Sequence, residues 1–271
     1  MALVVFGVLM VVALLFGVLG NRWWARHDAS SEEGLSISDL VTPLTTLAVV
    51  LLAFVMVEAI SSYGRAREQI GTEARVVNEM GDSATRVADP AISTALQQDL
   101  ICYSRAVVHR EWPAMAGATG ERAPEVGVWT GDIRAQLDTL AKGGGGDVSN
   151  RLIDLDGRRG EARLARLTES QPTIPTGLNL LMYASIILSV FGLAFFVRAK
   201  GHRGVYLALL AAFTVVLAAT LYTISDLDAP FSGLNQLPPT EMTRIQSSLE
   251  TTYARISPAP PLPCNSDGAK L

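Results

Sequence analysis

Four long apolar runs, two on either side of a polar middle, constrain this chain more than any other feature. They extend over Ala2–Gly20, Leu40–Ile60, Leu178–Val197 and Gly204–Ile224, and each approaches the ~20 residues a helix needs to cross a bilayer. Only the second contains a charged residue, Glu58. In lipid such a run must satisfy its own backbone hydrogen bonds, which leaves helix as the conformation open to it. The expectation is an all-α, polytopic membrane protein. It has four transmembrane helices, arranged two and two, with a helical bundle inserted between the second and third spans.

The rest of the composition agrees. Charged residues make up 18% of the chain, against roughly a quarter in soluble domains, a deficit that four spans account for. The net charge of −4 and the lack of a basic stripe argue against a nucleic-acid partner. Cys102 and Cys264 lack metal-type spacing and read as free thiols; they could pair only if both faced an oxidising compartment and the tail folded back. The first run has no basic segment before it and is followed by Asn21-Arg22-Trp23-Trp24, so it reads as a retained helix and not a cleaved signal. Trp23 and Trp24 suit interfacial anchoring.

Four spans place the N-terminus, the middle and the C-terminus on one side of the membrane. The positive loop Val197–Arg203, with Arg22 and Arg26 in the first loop, assigns both short loops to the cytoplasm. Arg65 and Arg67, just after the second span, pull the middle inward. The balance favours an extracytoplasmic middle and termini.

Residues 1–60 hold the first two spans, and 61–175 read as four amphipathic helices. Their stripes are Ile70, Ala74, Val77, Ala84 and Val87; Ile92, Leu96, Leu100, Tyr103 and Val107; Val126, Trp129, Ile133, Leu137 and Leu140; then Leu152, Leu155 and Leu164. A turn at Asp89-Pro90 and the glycines Gly143–Gly146 separate them. Charges are expected on the outer faces, His109 at the surface, and Trp112 and Trp129 in a core or interface. No His cluster, nucleophile–base pair or phosphate loop is present, so catalysis is not expected.

Residues 176–233 hold the third and fourth spans and an acidic stop, Asp226-Leu227-Asp228-Ala229-Pro230-Phe231-Ser232-Gly233. Pro230 and Gly233 end the helix, and Phe231 suits the headgroup level. Carboxylates at the carbonyl end of a helix are unfavourable unless compensated. Asp226 and Asp228 are therefore either a solvated stop or part of a Ca2+ site, although two carboxylates fall short of six to eight oxygen ligands. No other metal or cofactor is expected. Residues 234–256 carry a last amphipathic helix capped by Thr240, with Met242, Ile245, Leu249, Tyr253 and Ile256 on one face. Residues 257–271, rich in proline, read as a disordered tail.

The second span is the most polar. Thr42, Pro43, Thr45 and Thr46 open it and Glu58 closes it; hydroxyls and an ionisable group within a span are pore candidates. The alternative for Glu58 is an interfacial salt bridge to Arg65 or Arg67.

Glu58-Ala59-Ile60-Ser61-Ser62-Tyr63, Glu73-Ala74-Arg75 and the Asp226–Gly233 segment together resemble the bestrophin-like family of bacterial and plant membrane proteins of unknown function. Ala229 stands where members often have Arg. The resemblance implies a bacterial plasma-membrane protein that forms a homo-oligomer within the lipid bilayer. By analogy with bestrophins proper it also implies an anion channel with a cytosolic middle, opposite to the charge count above. A ring of Glu58 residues would favour cations instead. A non-conducting sensor or scaffold, using the bundle to bind a protein partner or ligand, is the alternative function.

Overall fold

The structure, a computed structural model, describes residues 2–27, 37–117, 122–144, 146–196, 203–256 and 259–271. Its regular elements are α1 (Ala2–His27), α2 (Ile37–Ala84), α3 (Pro90–Ala106), a π-helical turn (Val107–Glu111), α4 (Trp112–Met115), α5 (Pro124–Lys142), α6 (Gly146–Glu169), α7 (Thr176–Phe196), α8 (Arg203–Leu227) and α9 (Thr240–Tyr253). Among the described residues the one β-type pairing is an isolated bridge, Cys264 with Lys270. The chain forms two compact units, Met1–Ile60 with Thr173–Leu227, and Ser61–Pro172 with Asp228–Leu271.

The first unit is the membrane part. Three helical stretches, Val41–Ala84, Thr176–Phe195 and Gly204–Leu227, are long and apolar enough to cross a bilayer, and α1 adds a shorter apolar stretch, Gly7–Trp23. The chain is thus a multi-pass membrane protein. Its interior is built from Met10, Leu52, Val55, Met182, Ile186 and Leu221. The outward faces stay apolar, with Phe16, Phe54, Leu180 and Val215 each well exposed, as lipid-facing surfaces must be. Small residues set the helix spacing: a Cβ on Gly17 would lie 2.5 Å from the Ala194 Cβ, and one on Gly20 2.5 Å from the Phe195 ring. Close approach of α1 and α7 depends on these glycines, the usual device where apolar helices pack in lipid. Residues 28–36 and 197–202, which hold most of the loop sequence behind the orientation argument, lie outside the described residues.

The second unit is an all-helical bundle with its own core, including Met80, Leu96, Leu100, Trp129, Ile133 and Leu152. Local sequence explains its boundaries. The Asp89 side chain accepts a 2.8 Å hydrogen bond from the Ala91 N–H, with Pro90 at the first helical position. The π turn falls just before Pro113, whose ring has no N–H and crowds the preceding turn. The Trp112 N–H donates instead to the Val107 carbonyl, five residues back. The wider turn leaves His109 and Arg110 exposed and buries Glu111 completely. The last helix starts at Thr240 itself, the residue expected to cap it: Pro239 occupies the cap position and contributes no side-chain hydrogen bond.

Four sequence expectations are corrected by the structure. Leu164 points outward, 53% exposed. The buried stripe of α6 is Leu152, Leu155, Arg159, Ala162 and Arg166, and Leu164 lies about 180° around the helix from Leu155 at 100° per residue. The charges are not confined to outer faces, since Glu73, Glu111, Arg159 and Arg166 are fully buried. The end of the chain is not a loose tail. Cys264 forms a disulfide with Cys102, with Cα atoms 5.8 Å apart, and no free cysteine remains. Around it the Trp129 Nε1–H donates to the Gly268 carbonyl at 2.6 Å, the Lys270 Nζ pairs with Asp132 at 2.8 Å, and the Asn265 side chain accepts from the Asp267 and Ala269 N–H groups. Prolines limit the conformations of this segment without preventing it from packing.

Candidate functional site

The bundle is organised by a charge cluster at its centre. Glu73 on α2 and Glu111 on the π turn both face Arg166 on α6. The Arg166 Nε donates to the Glu73 Oε2 at 2.6 Å, and its Nη2 donates to the Glu111 Oε2 at 2.6 Å. The Tyr103 hydroxyl donates to the Glu73 Oε1 at 2.7 Å, and the Arg163 Nε donates to the Glu111 Oε1 at 3.1 Å. Beside it the Asp156 carboxylate accepts from Arg159 and, at 2.9 Å, from the Arg134 Nε, while the Arg159 guanidinium lies 4.5 Å from the Tyr103 ring centre. Burial by itself pushes the Glu111 carboxyl up, but the Arg166 and Arg163 guanidiniums outweigh it and hold the group below its ordinary value. Burial likewise lowers Arg166, and the Glu73 and Glu111 carboxylates more than restore it. The Tyr103 phenol is pushed up, first by burial and then by Glu73. Every charge has a partner of opposite sign, and the phenol is held protonated. Such a centre fixes geometry; it offers no nucleophile.

The segment after α8 docks onto this centre. Phe231 is buried in the bundle core, its ring 5.3 Å from Trp112 at an interplanar angle of 76°, an edge-to-face pairing. The Trp112 Nε1–H donates to the Leu237 carbonyl at 2.9 Å, and the Arg166 guanidinium lies 5.3 Å from the Trp112 ring. Pro230 is buried, its carbonyl accepts from the Leu237 N–H at 2.8 Å, and Gly233 takes a φ of +83° that closes the turn. Asp226 and Asp228 are each buried and each engaged in polar interactions. Among the described residues no group of three or more His, Cys, Asp or Glu side chains is placed to hold a metal ion.

The pore candidates on α2 separate into two faces. The Thr45 Oγ1 donates to the Val41 carbonyl and the Thr46 Oγ1 to the Thr42 carbonyl, at 2.8 and 2.9 Å. These bonds satisfy their hydroxyls one turn back, beside Pro43 inside the helix. Glu58 lies roughly 120–160° around α2 from the three threonines, at 100° per residue. It shares an exposed face with Leu47 and Phe54, which are 61% and 72% exposed. Arg65 is paired with Glu169 at 3.2 Å. Sequence reading missed Glu73, Tyr103, Glu111, Asp156, Arg159 and Arg166 as a cluster. The available signal was that Glu73 and Arg166 occupy positions in otherwise apolar stripes.

Comparison with known proteins agrees with this architecture. A family model described as the Bestrophin-like domain matches residues 7–242. Solved structures of a bacterial Bestrophin homolog from Klebsiella pneumoniae are similar at the level of fold. One point mutant has a TM-score of 0.72 at 12% identity, covering 93% of this chain and 98% of that one. The structure phased with zinc has a TM-score of 0.70 at 12% identity, covering 92% and 97%. No curated protein matches the sequence.

Proposed function

The chain belongs to the bestrophin-like family, and from that premise we propose that it is a homo-oligomeric ion channel whose permeation path is lined by α2. The observation that carries this reading is Glu58. It lies on the exposed face of α2 between apolar neighbours, it is engaged in a polar or electrostatic interaction, and an ionisable residue within a span is a functional candidate by default. That face turns towards neighbouring copies and a water-filled path. A ring of Glu58 carboxylates favours cations over anions. Thr42, Thr45 and Thr46 then belong to a different surface of the same helix. In this reading α1 completes a four-span, two-plus-two arrangement.

The Cys102–Cys264 disulfide supports an orientation. Disulfides persist in oxidising compartments and are rare in the cytosol, so the bundle and the chain's end face outward, with the short loops inside. The positive residues of those loops agree. No step in conduction is assigned to a metal.

The test is ion flux from liposomes containing the purified oligomer. Flux of monovalent ions above that of empty liposomes, with the cation-to-anion permeability ratio lowered by Glu58→Gln, is the expected result. Flux equal to empty liposomes from a correctly inserted oligomer contradicts the channel and favours a non-conducting sensor or scaffold. An unchanged ratio removes Glu58 from the path. Orientation is read by maleimide labelling of Ser247→Cys, an exposed position on α9, in intact cells. Labelling only after permeabilisation would place the bundle inside.

A further inference from the structure

We propose that the groove between α5 and α6 is a binding site for a small multivalent oxyanion. It encloses about 410 Å3 and is lined by Arg122, Arg134, Arg159 and Arg163, with Glu161 as the carboxylate among its walls. The volume lies at the small end of ligand pockets. It exceeds what one or two waters fill.

Three of these guanidiniums have donors to spare. Arg134 gives its Nε to Asp156, and its side chain is 59% exposed. Arg163 gives Nε and Nη2 to Glu111, which leaves Nη1. Arg122 is exposed and has no ion-pair partner among the described residues. A guanidinium presents five N–H donors in a planar fork, and several such forks around one cavity match the oxygens of a phosphate or polycarboxylate. Arg159 differs in that all its nitrogens are engaged by Asp156 and Thr130, so it holds Asp156 and, through it, Arg134 in place.

The second observation is independent of charge. Gly157 and Gly160 stand inside α6, where glycine is less favourable than alanine, and packing explains neither. A Cβ on Gly157 would meet nothing within 4 Å, and one on Gly160 would meet only the Arg134 Nη2 at 3.8 Å. Both line the groove. Their missing side chains keep its floor open, next to the Arg134 fork.

Calorimetric titration of the full-length protein in detergent, with pyrophosphate and separately with citrate, tests the site. Wild type is expected to bind at least one of them, more weakly as salt is raised. Arg122→Gln combined with Arg134→Gln is expected to lower affinity by at least about tenfold, which is about 1.4 kcal/mol. Neither residue is buried, so the fold survives the change. Gly157→Leu fills the groove while keeping every charge; it is expected to abolish binding and raise the melting temperature, since leucine is the better helix former. The proposal is overturned if wild type binds neither anion at millimolar concentration, if the double variant keeps wild-type affinity, or if Gly157→Leu binds normally. Preference for pyrophosphate or for citrate identifies the ligand as a phosphate or a carboxylate.

Discussion

At the scale of the residue, the central question is what a fully buried Arg166 does between two carboxylates. Burial of three ions costs several kcal/mol each unless every lone pair and proton is matched, and here Glu73, Glu111, Tyr103 and Met115 all meet a partner. Arg166→Met leaves Glu73 without its guanidinium in the core. The expected loss is about 3–5 kcal/mol, read as a large drop in the melting temperature in detergent; a change under about 1 kcal/mol would refute the locking role. Asp99 is the opposite case, a carboxyl whose burial is not matched by its surroundings. Its Oδ2 is buried with no hydrogen-bond partner among the described residues, and burial, then Asp132, push its pKa up to about 7 against the pull of Lys270. A raised acid binds its proton more tightly folded than unfolded, so stability falls as pH rises from about 4 to about 7. Asp99→Asn should flatten this slope and stabilise the protein at pH 8. An unchanged slope in chemical denaturation would contradict the assignment. These residues were hard to read in the sequence because charges are mostly exposed. Only their positions within the apolar stripes, Glu73 among Ile70, Ala74 and Val77, gave them away.

At the scale of the element, the apolar stripes of α3 and α5 predicted their buried faces, because a periodic pattern depends only on local geometry. The chain's end was misread because its order comes from partners far away in sequence. Cys102 and Cys264 are 162 residues apart, and in the chain-entropy view such a link contributes about 5 kcal/mol by limiting the unfolded state. Cys264→Ser should lower the melting temperature of the bundle, and reductant should do the same to wild type and nothing to the variant. A wild type indifferent to reductant would mean that the other tail contacts suffice. Gly268 tests those contacts directly. Its φ is +79°, and a Cβ there would lie 2.2 Å from the Ala106 N. Gly268→Ala is therefore expected to detach the tail and make it sensitive to proteases, with the disulfide still formed. Protection equal to wild type would show that α3 yields.

At the scale of the whole molecule, the spans α2, α7 and α8 were legible from apolar length alone, since lipid leaves so few options. The division into units was only partly legible. The Asp228–Gly233 motif reads as the end of a membrane span, but it belongs to the bundle. The Phe231–Trp112 pairing is a long-range contact with no local signature. In the proposed channel one face of α2, marked by Glu58, Leu47 and Phe54, surrounds a shared path between copies. A structure of the oligomer in a lipid nanodisc tests that most directly. The expected result is a closed ring of subunits with Glu58 of every copy facing a continuous central hole. A monomer, or a ring whose Glu58 faces turn outward to lipid, would contradict it.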